Sequence, residues 1–287
     1  MKLRNNNFIG IFDSGIGGIS VLNSCINLMP YENYVYFADT KNFPYGKKSK
    51  IELENIGLNA ISELYDEGAK EIIIACNTMS TSNIDLFRLK FKNIKIIGTF
   101  PNFTTIFNNN ITLSNRFMSF DKGNGFKISN KKIKLLIIAT TATTKSEYLN
   151  SLVEQLNGYI DIYVESTDFI VKAVENDYLN SESFINELKI FFKEYNDIDY
   201  LLLGCTHFIF AIDKLKMFIN EDVKILSGGE ITANEAYTSL HENNLLYGNS
   251  NPFIKIIDYN IDDNKIKLYN KLLKTSSHTI NYYKELP

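Results

Sequence analysis

Two stretches of this chain end in the same way. Residues 72–78, IIIACNT, and residues 201–207, LLLGCTH, each run through aliphatic residues to a small residue, then a cysteine, then polar groups. An alanine or glycine ahead of the thiol lets the backbone turn tightly or come close to a ligand. The polar residues that follow bring hydrogen-bonding groups to the same place. One such cysteine alone reads as a buried structural thiol, whereas two in matching positions point to paired chemistry. If Cys76 and Cys205 face one cavity from opposite walls, one can remove a proton from a carbon acid. The other can then return a proton to the opposite face of the roughly planar carbanion, inverting that centre. Thiols suit this work because their ordinary pKa of about 8.5 can be lowered by neighbours. Acid–base catalysis is most effective when its groups titrate near the working pH.

Other groups cluster near these thiols in the sequence pattern. Asp13 closes the run FIGIFD and, with Ser14, opens the glycine-rich turn DSGIGG at 13–18. Asp13 can accept a proton or orient a neighbour, and it can equally serve as a turn or helix-capping carboxylate. The turn lacks both the GxGxxG spacing and the lysine of a phosphate loop; its amides can instead hold a carboxylate at a helix start. His207, two positions beyond Cys205, is placed to tune that thiol or to protonate a group beside it. Zinc held by Cys76, Cys205 and His207 is a weaker reading, because the usual Cys-x2–4-Cys spacing is missing. The chain has 3 histidines, and His241 and His278 lie in polar stretches that read as ordinary surface. Cys25 falls inside a helical pattern and reads as a buried side chain.

Strands and helices must carry these residues. Short apolar runs at 8–13, 34–39, 72–75 and 94–98 alternate with helical patterns after the glycine turn, over 50–68 and over 83–91. Residues 101–130 are polar and asparagine-rich and break the rhythm, with room for small strands. It resumes with strands at 134–140, 159–164, 200–204 and 223–226, and with helices after TATTKS, over 168–178 and 182–195, near 209–219 and after Gly228 and Gly229. FIKIIDY (253–259) and KIKLYNKLL (265–273) read as strand-like. The alternation predicts α/β architecture, two similar blocks of mostly parallel sheet with helices on both faces and a boundary near residue 100. Open sheets of this kind bind ligands beyond the carboxyl ends of their strands, where both cysteines fall.

Composition narrows the class further. The 287 residues are 45% hydrophobic and 22% charged with a net charge of −3, the balance of a folded protein and a poor footprint for direct nucleic-acid binding. The clusters Lys47, Lys48, Lys50 and Lys131, Lys132, Lys134 read as coats of a helix start or a strand flank. No run approaches the roughly 20 apolar residues of a membrane span, and the apolar part of MKLRNNNFIGIF is short for a signal peptide. A cytoplasmic location is therefore expected. The 3 cysteines are too few and too odd in number for a disulfide framework, leaving thiol chemistry open.

Taken together, FDSGIGG (12–18), YFADTKNFPYG (36–46), ACNT (75–78), TTATTKSEY (140–148) and GCTH (204–207) resemble the motifs of glutamate racemases, in the family's order. These are cofactor-independent enzymes that supply D-glutamate for bacterial peptidoglycan. The likeness spans roughly residues 8–237. It implies two pseudo-symmetric α/β domains with the active site in the cleft between them. Residues 1–100 would form the first domain, completed by 210–287, and residues 101–209 the second. Cys76 resembles the base that acts on D-glutamate and Cys205 the one that acts on L-glutamate, with Asp13 partnering Cys76 and His207 partnering Cys205. Glu175, by a looser match, resembles the acidic residue on the His207 side. Ser14, Tyr45, Gly46, Asn77, Thr78, Thr140, Thr143 and Thr206 resemble the substrate contacts.

The resemblance also implies no cofactor and no metal, a homodimer and, from some family members, an interaction with DNA gyrase. Aspartate racemase is the nearest alternative; DSGIGG and FPYG favour glutamate. Phe100 stands where the family commonly has an acidic residue before proline, and Ser227 where it commonly has aspartate. The segment between Phe103 and Lys132 is longer than usual. These departures bear on regulation and dimer geometry and spare the proton-transfer residues.

Overall fold

The computed structural model describes residues 8–102, 110–113, 116–121, 125–129, 132–156, 158 and 160–285. Strands β1 (Phe8–Asp13), β2 (Asn33–Ala38), β3 (Ala69–Ile74) and β4 (Lys95–Gly98) alternate with helices α1 (Ile19–Leu28), α2 (Lys50–Asp66) and α3 (Asn77–Lys90). Next comes an antiparallel sheet of β5 (Asn110–Leu113), β6 (Arg116–Asp121) and β7 (Gly125–Ser129). The alternation then resumes with β8 (Lys134–Ala139), α4 (Thr141–Thr144), α5 (Glu147–Leu156), β9 (Asp161–Ser166), α6 (Asp168–Glu175), α7 (Glu182–Phe192) and β10 (Tyr200–Gly204). The chain ends with α8 (Ile212–Leu215), β11 (Lys224–Ser227), α9 (Gly229–Glu242), β12 (Phe253–Asp258), α10 (Asp263–Leu272) and β13 (Thr279–Tyr283). Among the described residues no helix is long and apolar enough to cross a membrane.

Two parallel sheets follow from these strands, ordered β13-β12-β2-β1-β3-β4 and β11-β10-β8-β9. Their central strands are apolar on both faces, as a sheet covered by helices on both sides requires. In β1, Ile9 and Ile11 enter one core while Phe8 and Phe12 enter the core on the other face, the two-residue alternation of a strand. In the second sheet Leu136 and Ile138 of β8 divide from Leu135 and Ile137 in the same way. Side-chain caps mark the starts of α2, α4, α7 and α10. Ser49 and Glu52 form a reciprocal capping box on α2, which satisfies amides that the first turn leaves without partners.

The strand order locates the crevices. From β1 the first sheet grows to β2 on one side and to β3 and β4 on the other; from β8 the second grows to β9 on one side and to β10 and β11 on the other. Each sheet therefore has a switch point, between β1 and β3 in the first and between β8 and β10 in the second. Such switch points open a crevice at the carboxyl ends of the strands. Asp13 and Cys76 sit at the first, Thr140 and Cys205 at the second.

Several expectations change. KIKLYNKLL is not a strand: Asp262 accepts a hydrogen bond from the Lys265 amide at 2.8 Å and starts α10 there. Its apolar residues gave a strand-like composition, but the aspartate cap and the burial of Leu268 and Tyr269 on one side fit a helix. The helix expected near 209–219 is a 3-10 turn over Thr206–Ala211 followed by the short α8, and the one expected over 168–178 stops at Glu175. β11 is hydrogen bonded to β10 in the second sheet, and the next strand, β12, to β2 in the first. The 101–130 stretch does carry small strands, β5, β6 and β7, and the rest of it beyond residue 102 lies outside the described residues.

Candidate active site

The site is assembled by the ends of strands. Asp13, the last residue of β1, is fully buried. Its Oδ1 accepts from the Gly15 amide at 3.1 Å and from the Ser14 hydroxyl at 3.4 Å. Its Oδ2 accepts from the Thr206 hydroxyl, on the other side of the cleft, at 3.1 Å. Burial pushes Asp13 up from its ordinary 3.8 to about 6, against the opposing pull of His207, the Gly15 amide and Thr206. A carboxyl placed so can exchange a proton near neutrality.

The glycines beside it are dictated by contact. A Cβ on Gly17 would lie 2.2 Å from His207 Nδ1 and 2.6 Å from Thr206 Oγ1, and one on Gly15 would lie 2.0 Å from Glu175 Oε1. The turn from the first sheet can rest on the second only without side chains there. The Ile16 amide donates to Glu175 Oε1 at 2.6 Å, and Ser20 donates to the Thr206 carbonyl at 3.0 Å, tying the same surfaces together.

Cys76 precedes α3 and Cys205 precedes the 3-10 turn. Both are nearly buried, 6% and 8% exposed, yet both line one cavity of about 280 Å³. Burial pushes the Cys76 thiol well up, and the charges of Asp13 and Cys205 add to this, while the amides of Met79 and Thr78 at the start of α3 act the other way. At the second thiol, Cys205 Sγ lies 3.6 Å from His207 Nδ1, and His207 Nε2 lies 2.8 Å from Glu175 Oε1. Burial by itself disfavours a charged imidazole, but Cys205 and Glu175 outweigh it and hold His207 well above its usual range. Burial likewise raises Glu175, but His207 and Lys265 outweigh it and the carboxyl is held below its usual range. The pair is an imidazolium and a carboxylate, with positive charge delivered beside the sulfur.

Of the residues singled out in the sequence, Ser14, Tyr45, Gly46, Cys76, Asn77, Thr78, Thr140, Cys205, Thr206 and His207 line the cavity. Asp13, Thr143 and Glu175 stand behind it, each touching a lining residue. Thr78 Oγ1 lies 2.8 Å from Thr140 Oγ1 and 3.2 Å from Thr143 Oγ1, a hydroxyl cluster bridging the two sheets. Tyr45 donates to Asp39 Oδ2 at 2.6 Å, fixing the FPYG loop. Phe43, Pro44, Asp168, Val171 and Lys172 also line the cavity and were not singled out, and so does Lys47, which was read as part of a surface coat. Asp168 carried a usable signal, since it is an acid just past a strand end where a helix begins, and it accepts from the Thr141 amide at 3.2 Å. Among the described residues no group of three or more histidine, cysteine or acidic side chains is arranged to hold a metal ion.

A cleft between two parallel sheets, with one thiol from each and an imidazolium–carboxylate pair beside one of them, defines an α/β enzyme of the acid–base kind. The chain is 37% identical over 276 residues to the glutamate racemase of Clostridium botulinum, covering 95% of this chain and 99% of that protein. It is 33% identical over 260 residues to the glutamate racemase of Campylobacter curvus, covering 90% and 91%. The chain belongs to the glutamate racemase family. Among solved structures it is similar to the glutamate racemase of Francisella tularensis in complex with D-glutamate, with 25% identity, a TM-score of 0.77 and coverage of 97% and 96%. No family model matches the chain.

Proposed function

We propose that this protein is a glutamate racemase that interconverts L- and D-glutamate through Cys76 and Cys205. One observation carries the reading: thiols from two different sheets line the same small cavity. In the D-to-L direction the Cys76 thiolate takes the α-proton and becomes a thiol. The Cys205 thiol gives its proton to the opposite face of the carbanion and becomes a thiolate. The reverse direction exchanges the two roles, so protons and charge balance in both. Asp13 serves the Cys76 side, and Glu175 with His207 serves the Cys205 side. Ser14, Asn77, Thr78, Thr140 and Thr206 hold the α-carboxylate and α-ammonium groups, with Tyr45, Gly46 and Thr143 shaping the pocket behind them.

The α-proton of an amino acid is weakly acidic, and the work of stabilising the carbanion falls on hydrogen bonds fixed before reaction and on exclusion of water. The cavity is of the size used for small ligands, and its thiols are shielded from bulk solvent. We take the two sheets as two domains, residues 8–100 with 228–285 and residues 132–227, and the resemblance carries a homodimer and a role in peptidoglycan supply into this reading. Racemisation in deuterated water tests it. Wild type should incorporate solvent deuterium at the α-carbon of the product, and Cys76→Ala and Cys205→Ala should each abolish steady-state turnover. Parental rates in either variant would overturn the two-thiol assignment.

A further inference from the structure

Glu175 is better supported than its place in the cleft alone requires. Its Oε1 accepts from the Ile16 amide at 2.6 Å and faces His207 Nε2 at 2.8 Å. Its Oε2 faces a cation from a distant part of the chain: Lys265 Nζ, on α10, stands 3.8 Å away. Lys265 is itself anchored, 3.1 Å from Asp258 Oδ2 at the end of β12. Asp258 is fully buried. It also accepts from the Tyr269 hydroxyl at 2.9 Å, the Asn260 amide at 2.8 Å and the Thr40 hydroxyl. A carboxylate held from so many sides is a rigid base for a flexible lysine stem.

We propose that Lys265 is a positioning residue for racemisation: fixed by Asp258, its ammonium holds Glu175 in place and ionised, so that Glu175 in turn keeps His207 charged beside Cys205. The proposal rests on the reading of Cys205 as one of the two proton-transfer groups. It joins the C-terminal strand and helix of the first sheet to the acid–base pair of the second. Nothing in the local sequence around Lys265 signals this role.

The electrostatic surroundings give the sign. Glu175 and His207 face Asp13 from β1, Tyr36 from β2, Cys205 past β10, and Lys265 and Tyr269 from α10, with Asp258 from β12 behind Lys265 and Tyr269. Lys172 and Asp168 belong to the helix that carries Glu175. Removing the Lys265 cation takes away part of what offsets the burial of Glu175. The carboxyl then accepts a proton at higher pH, and His207 loses its anionic partner over the same range.

The test compares wild type, Lys265→Met and Lys265→Arg as full chains, reading kcat/KM against pH and the NMR titration of the Glu175 carboxyl. In Lys265→Met the acid limb and the Glu175 midpoint should both rise by roughly half to one pH unit, the scale of a partly exposed ion pair. That lowers kcat/KM about 3- to 10-fold on the acid side, and Lys265→Arg should restore both readouts. A lower melting temperature with an unmoved limb and midpoint would mean a structural role only and overturns the proposal. Lys265→Gln replaces the methionine variant if that one does not fold. A wild-type protein without racemase activity removes the functional reading, yet the Glu175 titration still decides the role of Lys265.

Discussion

The hydroxyl of Thr206 donates to Asp13 Oδ2 at 3.1 Å, joining the end of β1 in one sheet to the residue that follows Cys205 in the other. The bond is buried at both ends, and it connects the two halves of the acid–base machinery directly. Loss of a donor to a buried carboxylate costs about 1–3 kcal/mol. Thr206→Val should therefore lower kcat/KM by about 10-fold or more, through a misplaced and more readily protonated Asp13. Thr206→Ser keeps the hydroxyl and should remain within about 3-fold of wild type, both measured by polarimetric racemisation.

Asp13 also makes stability depend on pH in an uncommon direction. Its carboxyl is raised to about 6 in the folded protein from an ordinary 3.8. Between these values the folded state holds a proton that the unfolded state has released, so stability falls as pH rises through this window. The cost is complete above pH 6 and corresponds to about 3 kcal/mol. Asp13→Asn removes it. That variant should melt at a higher temperature than wild type at pH 7.5, with the gap closing near pH 4, while kcat/KM falls by about two orders of magnitude. Thermal denaturation at the two pH values, set beside the activity, checks both halves.

Close approach of backbone to catalytic groups predicts a sharp contrast between two glycines. Alanine at Gly17 would place a methyl carbon 2.2 Å from His207 Nδ1, whereas nothing lies within 4 Å of a Cβ at Gly248. The turn or His207 must give way in Gly17→Ala, and a displacement of about 1 Å near the chemistry costs about 100-fold in rate. Gly17→Ala should lose about that much kcat/KM, and Gly248→Ala should be indistinguishable from wild type in the same assay.

How much of this was legible before the fold is clear from particular residues. The apolar runs leading to Cys76 and Cys205 declared buried parallel strands, and the motifs after them named most of the cavity lining. The sheet alternation was readable because β1, β3, β8 and β10 are buried on both faces and carry few competing signals. Lys265 and Asp258 were not, because their role depends on β12 pairing with β2, a contact between residues more than 200 positions apart. The same distance hid the return of the chain after β11. KIKLYNKLL misled for a local reason, as its isoleucine, leucines and tyrosine suit either element until the cap at Asp262 is weighed.

A last expectation concerns an ion pair remote from the cleft. Lys70 Nζ and Glu32 Oε2 lie 2.5 Å apart with side chains 3% and 2% exposed. Each has a further partner in the segment after α9: Lys70 donates to the Leu245 carbonyl at 2.7 Å, and Glu32 Oε1 accepts from the Tyr247 amide at 2.6 Å. Cutting one member leaves the other charge buried without its counterion, a loss of about 3–5 kcal/mol. Lys70→Met should therefore destabilise the fold by about that amount in urea titration, because Glu32 remains. The double variant Lys70→Met with Glu32→Gln should recover part of the loss, since the stranded charge is gone, and the non-additivity measures the coupling. Neither residue lines the cavity, so kcat/KM at 25 °C should stay near wild type as long as the variant is folded; a large loss of activity at full folding would show that this end of β3 reaches the cleft through Cys76.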